Sequence, residues 1–220
     1  MSSDGPDKHA ARLVVLSQGL RQLGLEMEPQ TLHSLIEYIE LLAKWNSTYN
    51  LTAIRDPDQM VFQHLLDSLA ITPYLRGKRL LDIGTGPGLP GIPLALIRPE
   101  LNVVLLESRG KKTRFIQQAV IALGLLNVEI VNNRVENYQP TEKFDTLVSR
   151  AFAPLSEMLG IAGHLCCETG QILAMKGKYP TAELAEIEAD KYQVDRVIEL
   201  HVPSLEAERH LVMITPIGLN

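Results

Sequence analysis

Apolar positions divide the chain into two textures. Through the first 75 residues they recur at helical spacing. Over Thr31–Trp45 the apolar residues are Leu32, Leu35, Ile36, Ile39, Leu42 and Ala43, while Glu37, Glu40 and Lys44 face elsewhere. That period predicts an amphipathic helix. Ala11–Leu23 carries a weaker version, stopped by Gly24 and Pro29. Asp56-Pro57 supplies an N-cap and a proline at the first helical position, and Val61, Phe62, Leu65, Leu66 and Leu69 follow as a wide apolar stripe ending before Pro73.

From Arg79 the pattern becomes an alternation of short apolar runs and helical stretches. Strands are expected at Arg79–Ile83, Val103–Leu106, Val128–Val131, Thr146–Val148, Ile172–Met175, Gln193–Leu200 and Leu211–Thr215. Helices are expected at Ile92–Ile97, Lys111–Leu123 and Leu155–Cys166. Such alternation predicts an α/β fold of Rossmann-like type, with a mostly parallel seven-stranded sheet and helices on both faces. The organisation expected is an N-terminal helical region, residues 1–75, serving substrate recognition, followed by a catalytic domain, residues 76–220.

Composition narrows this little: 45% hydrophobic and 21% charged is ordinary for a globular chain of 220 residues. No run approaches the roughly 18 apolar residues that a membrane span needs. The start, Met-Ser-Ser-Asp-Gly-Pro-Asp-Lys, is polar and lacks a signal-peptide pattern, so a cytoplasmic location without membrane association is expected. The two cysteines, Cys166 and Cys167, are adjacent. Neighbours pair poorly as a disulfide, and a C-x-x-C metal knuckle is excluded; both are expected to be small buried residues. No metal site is expected.

The net charge of −5 disfavours nucleic acid, but its distribution does not. Lys plus Arg against Asp plus Glu is 8 to 9 over residues 1–79, 8 to 7 over 80–150, and 5 to 10 over 151–220. The acidic excess sits in the last third, which leaves room for a basic face elsewhere.

The chemistry concentrates after the first strand, in Leu80-Leu81-Asp82-Ile83-Gly84-Thr85-Gly86-Pro87-Gly88-Leu89-Pro90-Gly91. A strand carrying an acid runs into a glycine turn that opens a helix. Glycines belong where the backbone takes positive φ or approaches a ligand, and a side chain at Gly86 is expected to fill the loop. The spacing Gly84-x-Gly86-x-Gly88 differs from the G-x-G-x-x-G of dinucleotide sites, and Pro87 removes an amide that a pyrophosphate would want. The shape suits S-adenosyl-L-methionine, which has no phosphate; a structural glycine turn is the alternative.

Glu107 ends the second strand, 23 residues beyond Gly84, where a carboxylate can accept both hydroxyls of a ribose. Arg109, Lys111, Lys112 and Arg114 crowd a helix start, the wrong end of the dipole for cations. They bind RNA phosphates or form a solvated face; the sequence weighs the two equally. Asn133-Arg134-Val135-Glu136 follows the third strand, placed to meet an adenine through the backbone of Val135 and Glu136. Arg150, in Ser149-Arg150-Ala151-Phe152 after the fourth strand, orients the cofactor carboxylate or the RNA, or makes a structural ion pair. His64 and Asp67 stand three apart on one helix face, as metal ligands or an acid–base pair do; a cap or an interdomain hydrogen bond is the favoured reading.

Ser149–Phe152 is not the Asn/Asp-Pro-Pro-aromatic tetrapeptide common in methylation of exocyclic amines. Cytosine C5 chemistry needs a cysteine nucleophile, and the cysteines fall in an expected helix. A ring nitrogen such as guanine N7 carries no proton, so alignment and exclusion of water suffice and no acid–base residue is assigned.

With these motifs in place, the chain resembles the bacterial 16S rRNA guanine-N7 methyltransferases of the RsmG (GidB) family. The resemblance rests on Lys44-Trp45-Asn46, Tyr49–Ile54, His64-Leu65-Leu66-Asp67-Ser68, Leu81–Pro93, Leu106-Glu107-Ser108, Arg134-Val135-Glu136, Phe144–Ala153, Lys176-Gly177 and Glu208-Arg209-His210. It spans about residues 30–215; Glu107 stands where Asp also occurs in the family. It implies a class I methyltransferase fold and methylation at N7 of the guanine at position 527, in the loop of helix 18 of 16S rRNA. The partner it implies is that RNA, the small ribosomal subunit or an assembly intermediate. By the resemblance Gly84, Leu89, Val135, Glu136 and Arg150 contact S-adenosyl-L-methionine; the residue-level reading adds Asp82, Gly86, Gly88 and Glu107. Rival readings are a non-catalytic RNA- or ribosome-binding factor with a vestigial cofactor fold, a small-molecule methyltransferase, and an NAD(P) oxidoreductase, which Pro87 and the loop spacing disfavour.

Overall fold

A computed structural model describes residues 6–217, so the first five residues of the polar start lie outside the described residues. Helices α1 (Pro6–Gln22) and α2 (Pro29–Tyr49) open the chain. Helix α2 ends where Asn50 turns left-handed at φ 49°, its amide donating to the Asn46 carbonyl. The next helical segment is capped as its sequence requires: the Asp56 carboxylate accepts the Asp58 amide at 3.0 Å, with Pro57 in the first turn. The segment is not uniform. A short α3 (Pro57–Met60) passes through a π-helical stretch, Val61–Leu66, into α4 (Asp67–Leu69).

Seven strands follow in one sheet: β1 (Arg79–Ile83), β2 (Asn102–Leu106), β3 (Val128–Val131), β4 (Phe144–Arg150), β5 (Cys166–Lys176), β6 (Tyr192–Glu199) and β7 (His210–Pro216). Their spatial order is β3-β2-β1-β4-β5-β7-β6. The first five are parallel, and β7 runs antiparallel between β5 and β6. Helices α5 (Gly91–Ile97), α6 (Gly110–Ala122), α7 (Leu155–Ala162) and α8 (Thr181–Ala185) complete the element order.

Alternate residues of each central strand serve opposite cores, as a pleat with both faces covered requires. Leu80, Leu105, Val148 and Leu173 join one core, which continues through Ile92 and Phe115 into Leu35, Ile39, Leu42 and Leu65 of the N-terminal helices. Leu81, Ile83, Leu106, Leu147 and Ile172 join the other, against Leu155, Met158 and Leu159 of α7. Each fully buried leucine contributes roughly 1.5–3 kcal/mol. The N-terminal helices therefore form an outer layer over α5 and α6, welded to them by a common core.

The helix expected at Leu155–Cys166 is shorter. A 3₁₀ turn at Gly163–Leu165 follows α7, and Cys166 opens β5. Gly163 allows the tight approach there, since a side chain on it would overlap Tyr192. Cys166 is buried as expected, whereas Cys167 is only partly so.

Candidate active site

In an open parallel sheet, ligands sit beyond the carboxyl ends of the strands, where the winding direction reverses. Here that point lies between β1 and β4. Strands β2, β1, β4 and β5 lie side by side and deliver Glu107, Gly84, Arg150 and Lys176 to one edge.

Two glycines of the loop have distinct reasons. Both have φ of +63°, a region that favours glycine. At Gly84 a side chain would also strike the Phe152 ring. At Gly86 the space is open, with the Lys112 Nζ 3.7 Å from the position of a Cβ. Backbone conformation, not crowding, is what demands glycine at Gly86.

Asp82 works beneath the loop. One carboxylate oxygen accepts the Thr85 hydroxyl at 2.5 Å and the Gly91 amide at 2.7 Å, which ties strand to helix. The other oxygen, Oδ1, has no partner among the described residues. Burial pushes this carboxyl up to about 7, against the opposing effects of those two hydrogen bonds and of Arg150. Glu107 braces the loop from the next strand: Oε2 accepts the Gly86 amide at 3.0 Å and Oε1 the Arg109 amide at 2.8 Å. A third brace comes from α2, where the fully buried Tyr38 donates its hydroxyl to the Pro87 carbonyl at 2.9 Å.

The cleft has two lobes. The first, about 430 Å³, is walled by Gly84, Glu107, Arg109, Val135, Glu136 and Phe152. The second, about 510 Å³, is walled by Gly86, Leu89, His64, Asp67, Arg150 and Arg209 among others. Gly84, Lys112 and Ala151 border both. Ala151 holds φ 52°, a strained conformation for a residue with a Cβ. Of the nine residues expected to meet a cofactor, seven line the cleft; Asp82 and Gly88 lie behind it and shape the loop.

The second lobe gathers charge around Asp67. Its Oδ2 accepts Arg150 at 3.0 Å and its Oδ1 accepts Arg209 at 2.8 Å. Arg150 also donates to the Gln63 carbonyl, at 3.1 Å. His64 bonds the Gln63 carbonyl through Nδ1 at 3.0 Å and Thr52 Oγ1 through Nε2 at 2.9 Å. A carbonyl only accepts, so Nδ1 carries the hydrogen and Nε2 accepts from Thr52. Burial, helped by the Arg150 charge, lowers the His64 pKa to about 4, so the ring is neutral. With its oxygens taken by arginines, Asp67 forms the hydrogen-bonded link between regions that the sequence favoured. Among the described residues no three or more His, Cys, Asp or Glu are grouped to hold a metal.

The cation cluster splits. Lys112 reaches into the cleft, 3.9 Å from Glu107 Oε2. Lys111 donates to the Tyr49 carbonyl at 3.2 Å, neutralising the negative end of α2. Arg109 borders the first lobe and Arg114 is exposed. Cys166 stands at the opposite end of the sheet from the cleft, paired with Phe144, and burial raises its thiol to about 12. That position and protonation make it inert, although it is not helical. Sequence reasoning assigned no role to Arg209, which is 142 residues from Asp67 and sits in no motif with a mechanism of its own.

A family model described as rRNA small subunit methyltransferase G, GidB, matches residues 31–212. A protein named ribosomal RNA small subunit methyltransferase G from Chromobacterium violaceum is 52% identical over 198 residues, covering 90% of this chain and 94% of its own. Proteins of the same name from Psychromonas ingrahamii and Escherichia coli strain SMS-3-5 are 49% and 47% identical, each over 90% of this chain and 96% of their own. Among solved structures, the tRNA (m1A58) methyltransferase TrmI of Aquifex aeolicus matches with TM-score 0.57 and 18% identity, over 70% of this chain and 69% of that one. P. horikoshii TYW2, in complex with MeSAdo, matches with TM-score 0.56 and 9% identity, over 70% and 62%. At these identities the likeness concerns the fold, the Rossmann-like class I methyltransferase fold. With a family model over residues 31–212 and relatives near 50% identity across nine-tenths of its length, the chain belongs to the GidB family of small-subunit rRNA methyltransferases.

Proposed function

We propose that the protein methylates N7 of a guanine in 16S rRNA, at position 527 in the loop of helix 18, with S-adenosyl-L-methionine as donor. The observation that carries this reading is the two-lobed cleft at the β1–β4 switch point, which joins a lobe of about 430 Å³ lined by Glu107, Val135 and Glu136 to a cationic one. The first lobe fits the adenosine part. Each Glu107 oxygen accepts one backbone amide and keeps lone pairs for ribose hydroxyls, and Val135 and Glu136 line the same lobe, where an adenine would meet their backbone. Arg150 borders the second lobe, where it can meet the carboxylate of the methionine part.

When bound, the cofactor supplies an electrophilic methyl on a sulfonium sulfur. The residues around the second lobe offer donors, not a base: His64 is neutral with both nitrogens engaged, and Asp67 is held between two guanidinium groups. A guanine N7 needs no base, since it carries a lone pair and no proton. The protein's task is to hold that nitrogen in line with the methyl and to keep the path dry. Arg150, Arg209, Lys112 and Lys176 border the lobe, placing positive charge where an RNA strand would enter. The protein's setting in the cytoplasm follows from a ribosomal substrate; among the described residues no helix is long and apolar enough to cross a membrane.

The test is transfer of labelled methyl from S-adenosyl-L-methionine to naked 16S rRNA and to small subunits lacking the modification, with chemical cleavage to map the product. One cleavage site, at the guanine in the helix 18 loop, is expected. Label at an exocyclic amine or a pyrimidine, or none on either substrate, overturns the assignment.

A further inference from the structure

Asp67 links the three parts of the chain that meet at the second lobe. It stands on the helical segment Pro57–Leu69, Arg150 ends β4, and Arg209 immediately precedes β7. The Asp67 side chain is 3% exposed, while those of Arg150 and Arg209 are 20% and 23% exposed and border the cavity. Arg150 spends NH1 on Asp67 and the Gln63 carbonyl. Arg209 spends Nε on Asp67 and one NH1 hydrogen on the Glu208 carbonyl. A guanidinium has five N–H donors, so three remain on each. One buried carboxylate thus fixes two forks side by side and leaves the cluster with one net positive charge.

From this geometry we infer that Asp67 is a positioning residue for methyl transfer: it locks Arg150 and Arg209 side by side, so that Arg209 offers a fixed fork to the phosphate of the nucleotide to be methylated while Arg150 keeps its free donors for the carboxylate of the cofactor. The inference rests on the rRNA reading above. Two unanchored arginines would still attract a phosphate, through charge alone, and would do so more strongly without the carboxylate. What they would lose is direction. A planar fork recognises a phosphate with geometric specificity as well as energy, and an error of 1 Å in placement costs up to about a hundredfold in rate. Affinity and turnover should therefore part company when the anchor is removed.

The experiment compares the full chain with Asp67→Asn and Arg209→Lys, on unmodified small subunits at saturating S-adenosyl-L-methionine, with folded fraction measured for each. Asp67→Asn keeps the shape and removes the charge; Arg209→Lys keeps the charge and removes the fork. For each, turnover per folded molecule should fall at least about tenfold, while KM for RNA stays within about threefold of wild type or decreases. Calorimetry should show S-adenosylhomocysteine affinity within about threefold for Arg209→Lys. If KM rises while turnover holds, or if the lost activity equals the lost folded fraction, Asp67 is only a structural brace and the inference fails. Should Asp67→Asn not fold, Arg209→Lys decides: wild-type turnover there shows that charge alone suffices and overturns the fork. A wild-type protein that binds S-adenosylhomocysteine yet methylates no small-subunit RNA defeats the rRNA reading itself, before any variant is compared.

Discussion

The hydroxyl of Tyr38 donates to the carbonyl of Pro87, so a helix 49 residues upstream supports the glycine loop from behind. Burial raises the phenol far above its usual pKa, and it remains a donor at every relevant pH. Tyr38→Phe strands a buried carbonyl. It should cost about 1–2 kcal/mol, with a melting temperature lower by about 2–4 °C per kcal/mol. Binding of S-adenosylhomocysteine should weaken several-fold as the loop relaxes. Calorimetry and thermal melts check both, and an unchanged affinity would detach the N-terminal helices from the cofactor lobe.

Glu107 has structural and ligand duties at once. Because its oxygens accept the amides of Gly86 and Arg109, Glu107→Ala removes two internal hydrogen bonds along with any to a ribose. Stability and S-adenosylhomocysteine affinity should each drop by about 1–3 kcal/mol. An affinity loss without a change in melting temperature would show that the amides find other acceptors.

Lys111 and Lys112 should separate in function although they adjoin in sequence. Lys112 borders both lobes, so Lys112→Ala should weaken cofactor binding as well as turnover. Lys111 faces the end of α2, so Lys111→Ala should leave cofactor binding intact. If Lys111 contacts a phosphate, its removal should flatten the salt dependence of RNA binding by roughly one unit of log–log slope. Identical effects from both variants would make the cluster a single electrostatic patch.

The pH dependence of stability should reveal two opposing groups. His64 has its pKa lowered from 6.5 to about 4, so between those values the unfolded chain takes up a proton that the native protein refuses. Its contribution is present above pH 6.5 and lost as pH falls toward 4, about 3 kcal/mol in all. Asp82 has its pKa raised from 3.8 to about 7, so the native protein takes up the proton first and gains stability as pH falls from 7 toward 4, by about 4 kcal/mol. Wild-type stability should vary little from these two groups across that window. Denaturant titrations of His64→Gln should show stability rising as pH falls, and those of Asp82→Asn a steeper decline than wild type. Parallel profiles for all three proteins would contradict both assignments.

The sheet was legible because a buried strand writes itself as a short apolar run. Arg79–Ile83 and Val128–Val131 are the strands the periodicity outlines, residue for residue. The break between α7 and β5 was not, since Gly160–Cys167 has no proline and its apolar spacing continues through the 3₁₀ turn. In the site, the glycine loop and Glu107 announce themselves by their distance from a strand end. Arg209 and Tyr38 could not, because each acts on a residue far away in sequence, and only the packed chain brings them there. The placement of Lys112 turns on one step of helix phase, which charge counting ignores.

The π-helical stretch Val61–Leu66 makes the length of this segment matter as much as its composition. A π turn holds one residue more than the α turn it replaces. Deleting any one residue between Met60 and Asp67 would let the helix close back to regular winding, at little cost to the chain. Because the wide turn and the regular one span the same rotation, everything beyond would stay in phase. Rewinding all six residues as regular α-helix, with none deleted, would instead put everything beyond out of phase by about 100°, the rotation of a single α-helical residue. Asp67 would swing away from both arginines, and the Gln63 carbonyl would turn from Arg150. The helix is, in effect, a counted tape: a protein lacking one residue there should still fold with Asp67 facing its arginines, and only one that loses the wide turn at full length should be blind to its substrate.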